Sequence, residues 1–175
     1  MISGRPKNTS GSCVACLMEG SRPILAEVQA LVSASGYGNP RRMTNGFDYN
    51  RLAMLAAVLE KRAGFFLSNC DIYINVVGGL KLDEPASDLS VALALISSLK
   101  DTPIRDDVIA FGEIGLGGEI RSIGSCEQRI KEAARLGFNR CIVPYHNYKN
   151  LNSNIKSLVE IVPARTIRAA FDSAI

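Results

Sequence analysis

The stretch from Asn75 to Gly124, NVVGGLKLDEPASDLSVALALISSLKDTPIRDDVIAFGEIGLGGEIRSIG, constrains this chain more than any other. An apolar run stops at Gly78-Gly79, and a polar turn with Pro85 follows. Leu89, Ala92, Leu93, Ile96 and Leu99 then recur at helical spacing, with Ser90, Ala94, Ser97 and Ser98 lying away from them. That pattern predicts an amphipathic helix. Ser87 is placed to cap it, and Asp88 adds negative charge to its first turn. A strand over 107–114, a tight turn at Gly115–Gly118 and a return strand over 119–122 come next.

The flanking segments fill out a mixed α+β domain. Ser10–Glu19 and Arg22–Ser33 read as a hairpin turning at Gly20. Residues 35–45, SGYGNPRRMTN, read as a loop. Asp48 can cap a helix that runs to Arg62 and ends at Gly64, with Leu52, Leu55, Ala56, Leu59 and Ala63 as its buried stripe. Cys70–Val77 reads as the central strand. Ser125 with Gln128 forms a capping box for a helix that turns Ile130, Ala133 and Ala134 inward and closes at Gly137. A short strand at 141–143, a turn or short helix at 146–152, a strand at 158–162 and a terminal helix at 165–173 complete the order. Residues 1–9 read as a linker and 10–175 as one domain, a length that buries a sizeable core.

Several function classes fall away. No run of about 18 apolar residues is present, so no membrane span is expected, and the N-terminus lacks a secretory pattern. No G-x-x-x-x-G-K-[ST] occurs, so no P-loop ATPase lies in this chain. The five cysteines are scattered, which suits a reducing, cytoplasmic setting. Cys13 and Cys16 form one C-x-x-C without a second pair, and three residues apart on a strand they point to opposite faces. No metal or cofactor is therefore expected. The lone His146 follows Pro144 in a polar segment and reads as a surface residue. The net charge of +3 is too mild to argue for nucleic acid by itself, but Arg41, Arg42, Arg51, Lys61 and Arg62 cluster against only Asp48 and Glu60.

The central stretch resembles the proteolytic domain of the Lon family. Its blocks match as Phe111-Gly112-Glu113, Gly118-Glu119-Ile120 and Ile123-Gly124-Ser125. The resemblance implies the Lon-type fold, related to the second domain of ribosomal protein S5, with a mixed sheet and helices packed against it. It also places Ala86 where that family has its serine nucleophile and Glu127 where it has its lysine base. Neither residue can do that chemistry. A rival reading shifts the dyad to Ser87 with Lys81 or Lys131, but one residue turns a helical side chain by about 100°.

A closer likeness lies in VVGGLK, DLSVALALISS, FGEIGLGGEIRSIGSCEQRIKEAARLGF and CIVP, with EGSRPILAEVQALV, NPRR and DYNRLAMLAAVLEKRAG upstream. These blocks are similar to the C-terminal Lon-like domain of the bacterial RadA (Sms) family of DNA-repair proteins. In that family a zinc finger and a RecA-like ATPase precede this domain. The resemblance implies a non-catalytic scaffold, cytoplasmic and nucleoid-associated. Such a scaffold supports a ring, a hexamer in the full-length protein, and touches duplex or branched DNA during branch migration. The candidate DNA contacts are Arg22, Arg41, Arg42, Arg51, Lys81 and Arg121, with Lys61 and Arg62 as second choices. They would meet the phosphate backbone rather than base edges. The alternatives are a Ser-Lys peptidase and a pure oligomerisation module.

Overall fold

A computed structural model describes residues 2–36 and 38–175. Strands β1 (Ser12–Glu19) and β2 (Arg22–Ala34) form the expected hairpin, paired from Ser12 with Gln29 to Glu19 with Arg22. The remaining strands are β3 (Arg42–Asn45), β4 (Cys70–Val76), β5 (Val108–Ala110), β6 (Glu113–Ile114), β7 (Ile120–Arg121), β8 (Arg140–Pro144) and β9 (Glu160–Ala164). Seven of them make one sheet in the order β3-β4-β2-β1-β5-β8-β9, and β6 with β7 makes a separate ribbon. The hairpin half is antiparallel from β4 to β1, and the half from β1 to β9 is parallel.

Two expectations change here. Cys70–Val76 is the second strand from an edge, and the centre belongs to β1. The supposed loop 35–45 contributes β3, which pairs in parallel with β4 and forms that edge. Its polar sequence, RMTN, hid a strand because an edge strand need bury neither face fully.

Helices lie on both faces of the sheet. Cys13, Ala15 and Leu17 of β1 join the core beneath α1 (Tyr49–Ala63), α2 (Asp88–Lys100) and α6 (Ile167–Ala174). Val14 and Cys16 join a second core with α3 (Cys126–Arg135) and with Leu151 and Ile155, which flank and occupy α5 (Ser153–Lys156). The alternation of a strand thus sends Cys13 and Cys16 to different cores. A five-residue helix, α4 (Tyr145–Lys149), follows β8.

The helix α2 is not amphipathic. Every residue from Asp88 to Ser97 is buried, because α2 packs between the sheet and helices α1 and α6. Its serines work inside the fold instead of facing water. Ser97 Oγ accepts from Gly11 N at 2.9 Å and donates to the Thr102 carbonyl at 2.6 Å, and Ser98 Oγ accepts from Val32 N at 2.9 Å. Gly11 makes this approach possible, with φ of 93° and only 2.2 Å between an added Cβ and the Ala30 carbonyl oxygen.

The expected caps divide. Asp48 accepts from Arg51 N at 2.9 Å, and Gly64 closes α1 in the left-handed region. Ser87 precedes α2 in helical geometry, and its hydroxyl caps nothing. Ser125 sits at φ of 58° ahead of α3, so the predicted capping box does not form. Among the described residues, no helix is long and apolar enough to cross a membrane.

Candidate functional site

A turn of 3-10 helix over Pro85–Ser87 delivers the chain into α2, held by Gly112 N donating to the Ala86 carbonyl at 2.9 Å. Ala86 lies on the wall of a cavity of about 380 Å³ together with Met18, Glu84, Glu113 and Arg129. The β7-to-α3 connection, Ser122–Ser125, closes the far side. Residues of two of the matched blocks, Glu113 and Ile123-Gly124-Ser125, line the cavity. Ser87 has turned away from it and is fully buried, and its Oγ has no hydrogen-bond partner. Lys81 and Lys131 are both exposed, and no lysine lines the cavity. Glu127, half-buried in the first turn of α3, does not line it either.

The cationic group in the cavity is Arg129, 3% exposed. Its Nε donates to the Gly124 carbonyl at 3.1 Å, and its Nη1 donates to the Cys16 carbonyl and pairs with Glu84. The guanidinium therefore ties α3 to the central strand and to the turn before α2. A guanidinium stays protonated at any working pH, so it cannot act as a base. Sequence reading fixed on Glu127 and passed over this residue. The signal was there, since Arg129 falls on the apolar stripe of Cys126, Ile130 and Ala133, and a charge on a buried stripe needs partners.

A second ionic group sits behind the cavity. Arg51 Nε donates to Asp88 Oδ1 at 2.8 Å, its Nη2 pairs with Asp88 Oδ2, and Ile114 N donates to the same carboxylate at 3.0 Å. Burial pushes the Asp88 carboxyl up, against the pull of Arg51 and the Ile114 N–H. The Asp88 carboxylate in turn holds Arg51 above its ordinary value. Arg51 thus joins α1, α2 and the β6–β7 ribbon, with its side chain 28% exposed. Of the six predicted polyanion contacts, it is the one that pairs with a carboxylate among the described residues.

The other five candidates occupy three places. Arg22 opens β2, exposed, on a groove with Pro23, Leu80, Glu132 and Arg135. Lys81 is exposed next to Leu82, whose N–H bonds the Gly46 carbonyl, so it stands at the far end of the β3 edge. Leu80 of the same turn lines the Arg22 groove, which brings Arg22 and Lys81 to one end of the sheet. Arg41 and Arg42 stand at the other end of β3. Arg41 is exposed, and Arg42 Nη2 donates to the Leu67 carbonyl at 3.2 Å. Arg121 is exposed on β7, opposite Glu113. Of the second choices, Lys61 is exposed, and Arg62 Nε reaches the Leu116 carbonyl at 3.4 Å. None of these seven cations pairs with a carboxylate among the described residues.

The fold, the ribbon and the turn into α2 define the class, and the comparison with known families agrees. Residues 51–175 match the Lon protease (S16) C-terminal proteolytic domain, and the chain belongs to that family. Beyond the family, it is similar to bacterial proteins named DNA repair protein RadA. It is 45% identical to the one from Halalkalibacterium halodurans over 172 residues, 98% of this chain and 37% of that protein. It is 52% identical to that of Bacillus subtilis over 146 residues, 83% and 32%, and 47% identical to that of Listeria monocytogenes over 174 residues, 99% and 38%. The chain therefore spans less than two fifths of the length of these relatives.

Proposed function

We propose that this chain is a Lon-type domain without peptidase chemistry that serves a RadA-type DNA-repair protein as a scaffold and a duplex-DNA contact. The observation that carries the first half is the cavity at Ala86. It offers a buried Arg129–Glu84 pair where a nucleophile and an amine base would have to stand. Ser122 and Ser125 supply hydroxyls there, but no lysine or histidine lines the cavity beside them, and among the described residues neither hydroxyl is hydrogen-bonded to Glu84 or Glu113. The reading needs no cofactor and no metal.

The second half rests on Arg22, Arg41, Arg42, Lys81 and Arg121, which form no ion pair with a carboxylate among the described residues. Each would neutralise a phosphate and release a counterion, so binding would weaken steeply with salt. Three separated places suit a long, sequence-indifferent track better than a single base-reading element. A ring of copies would multiply such weak contacts, and the RecA-like ATPase domain of the relatives' family is the proposed neighbour.

The test is a duplex titration of the whole chain at low and moderate salt beside Arg41→Ala and Lys81→Ala, with peptide turnover measured in parallel. Salt-sensitive binding that either substitution weakens supports the reading. Assembly into a ring without DNA binding favours the pure oligomerisation module. Peptide turnover that Ser87→Ala abolishes overturns the non-catalytic half.

A further inference from the structure

At one end of the parallel half of the sheet, β8 runs into α4 and β9 runs towards α6. From Ala133 to Val159 the chain carries no Asp or Glu, while Arg135, Arg140, His146, Lys149 and Lys156 fall in the same span. The segment Tyr145–Ser157, YHNYKNLNSNIKS, interleaves two tyrosines with cations and asparagines. In the fold these residues converge. The pairing of Pro144 with Ala164 sets Arg165 beside Tyr145, and the Arg165 guanidinium lies 3.7 Å from the centre of that ring. Lys149 stands 5.6 Å from the same ring, and Lys156 stands 4.2 Å from the ring of Tyr148.

Two properties separate this cluster from an ordinary solvated surface. First, Lys149, Lys156 and Arg165 make no ion pair among the described residues. Of the acids on adjoining strands, Glu160 pairs with Arg140 at 2.9 Å, and Glu119, which bridges to Thr166, keeps its charge at the edge of the cluster while accepting from Gly117 N at 3.2 Å. Second, the aromatic faces hold the cations in place without neutralising them, which lowers the entropy lost when an anion arrives. The half-buried rings of Tyr145 and Tyr148 leave Lys149, Arg165 and His146 exposed around them. Asn152 and Asn154 stand exposed beside them as neutral donors, while Asn150 and Ser157 donate to the carbonyls of His146 and Asn154.

The cluster also adjoins a candidate already named. Arg121 sits on β7 between Glu119, which bridges to Thr166, and Ile123, whose N–H and carbonyl bond the Asn147 side chain at 2.9 and 3.0 Å. Both neighbours of Arg121 are therefore fastened to the α4 and α6 ends of the cluster. We infer that the surface formed by α4, α5 and the start of α6 is a further phosphate-backbone contact for duplex DNA, with Lys149, Lys156 and Arg165 as its charge and Tyr145 and Tyr148 as its support. It rests on the nucleic-acid reading above and extends the track past Arg121. Base edges are not read here, because α4 and α5 are each only about one turn long, too short to enter a groove as a recognition helix.

The experiment is a fluorescence-anisotropy titration of the whole chain with a mixed-sequence duplex from 50 to 200 mM salt. It compares Lys149→Gln/Lys156→Gln/Arg165→Gln with a control of equal charge loss, Lys7→Gln/Lys100→Gln/Lys131→Gln. The expected result is a weakening of about tenfold or more at 100 mM salt and a salt slope shallower by about 2 to 3 for the first triple alone, since each lost phosphate contact removes about 0.9. Equal slopes for wild type and the first triple overturn this inference and leave the broader reading standing. A wild-type chain that fails to bind at 50 mM salt overturns both. Equal losses for the two triples reduce the effect to net charge and also overturn the inference.

Discussion

Replacing Arg129 by methionine isolates what the buried guanidinium does. Methionine keeps the length of the side chain and the helical preference of α3 but removes every donor. The change strands the Glu84 carboxylate, 24% exposed, and takes a donor from the carbonyls of Cys16 and Gly124. Breaking one side of a buried pair costs about 3–5 kcal/mol, and the partial exposure of Glu84 places this case near the lower end, about 3 kcal/mol. For a chain of this size that corresponds to a fall in Tm of about 6–12 °C. Glu84→Gln keeps an acceptor for the guanidinium but leaves a side-chain charge that is 4% exposed without a counter-charge, so it should cost a similar amount, about 3 kcal/mol. The double variant should cost clearly less than the sum, with a coupling of at least about 1 kcal/mol. Urea unfolding of the four proteins measures this. A loss below about 1 kcal/mol for Arg129→Met, or strictly additive singles, would refute the claim that this pair locks α3 to the turn before α2.

Other outcomes follow from the same geometry. Burial pushes the thiols of Cys13, Cys16, Cys126 and Cys141 up to about 12, so a thiol reagent at pH 8 should label Cys70 alone in the folded chain and all five cysteines in denaturant. Gly11→Ala should destabilise by about 2 kcal/mol or more in thermal or urea unfolding, because the left-handed φ is strained and the new Cβ meets the Ala30 carbonyl. Arg105 donates to both oxygens of Asp107 and holds its carboxyl below the usual range, with Asn139 adding a further bond. A lowered folded-state value means that stability is present above about pH 4 and is lost as the pH falls through the folded value. The stability gap between wild type and Asp107→Asn should therefore be largest above about pH 4 and close on acidification.

Much of this molecule was legible in its sequence, for reasons that differ from residue to residue. The β1–β2 hairpin and α1 follow local rules, and alternation, Asp48 and Gly64 mark them plainly. The burial of α2 was not legible, since serine is neutral to the pattern and only the packing of α1, α6 and the sheet shows that Ser90 and Ser97 are enclosed. The short edge strand β3 was missed because its partner lies about thirty residues away and its own side chains carry no apolar period. Beside the cavity, the turn that carries Ala86 into α2 follows from Pro85 and the helical pattern after it. The burial of Arg129 was not legible, because a charged residue on an apolar stripe gains meaning only when its partners, Cys16 and Glu84, are brought to it from distant parts of the chain. Arg51 shows the converse. Its charge suggests a surface contact, and the carboxylate that pairs with it, Asp88, comes from a separate helix.

The claim beneath all of this is that a peptidase body persists with its reacting groups gone. Intact-mass analysis after incubation with excess peptidyl fluorophosphonate tests it most directly. An unchanged mass is expected, since Ser87 is sealed in the core and no lysine or histidine lines the cavity beside Ser122 and Ser125. A stoichiometric adduct on Ser87, Ser122 or Ser125 would contradict it.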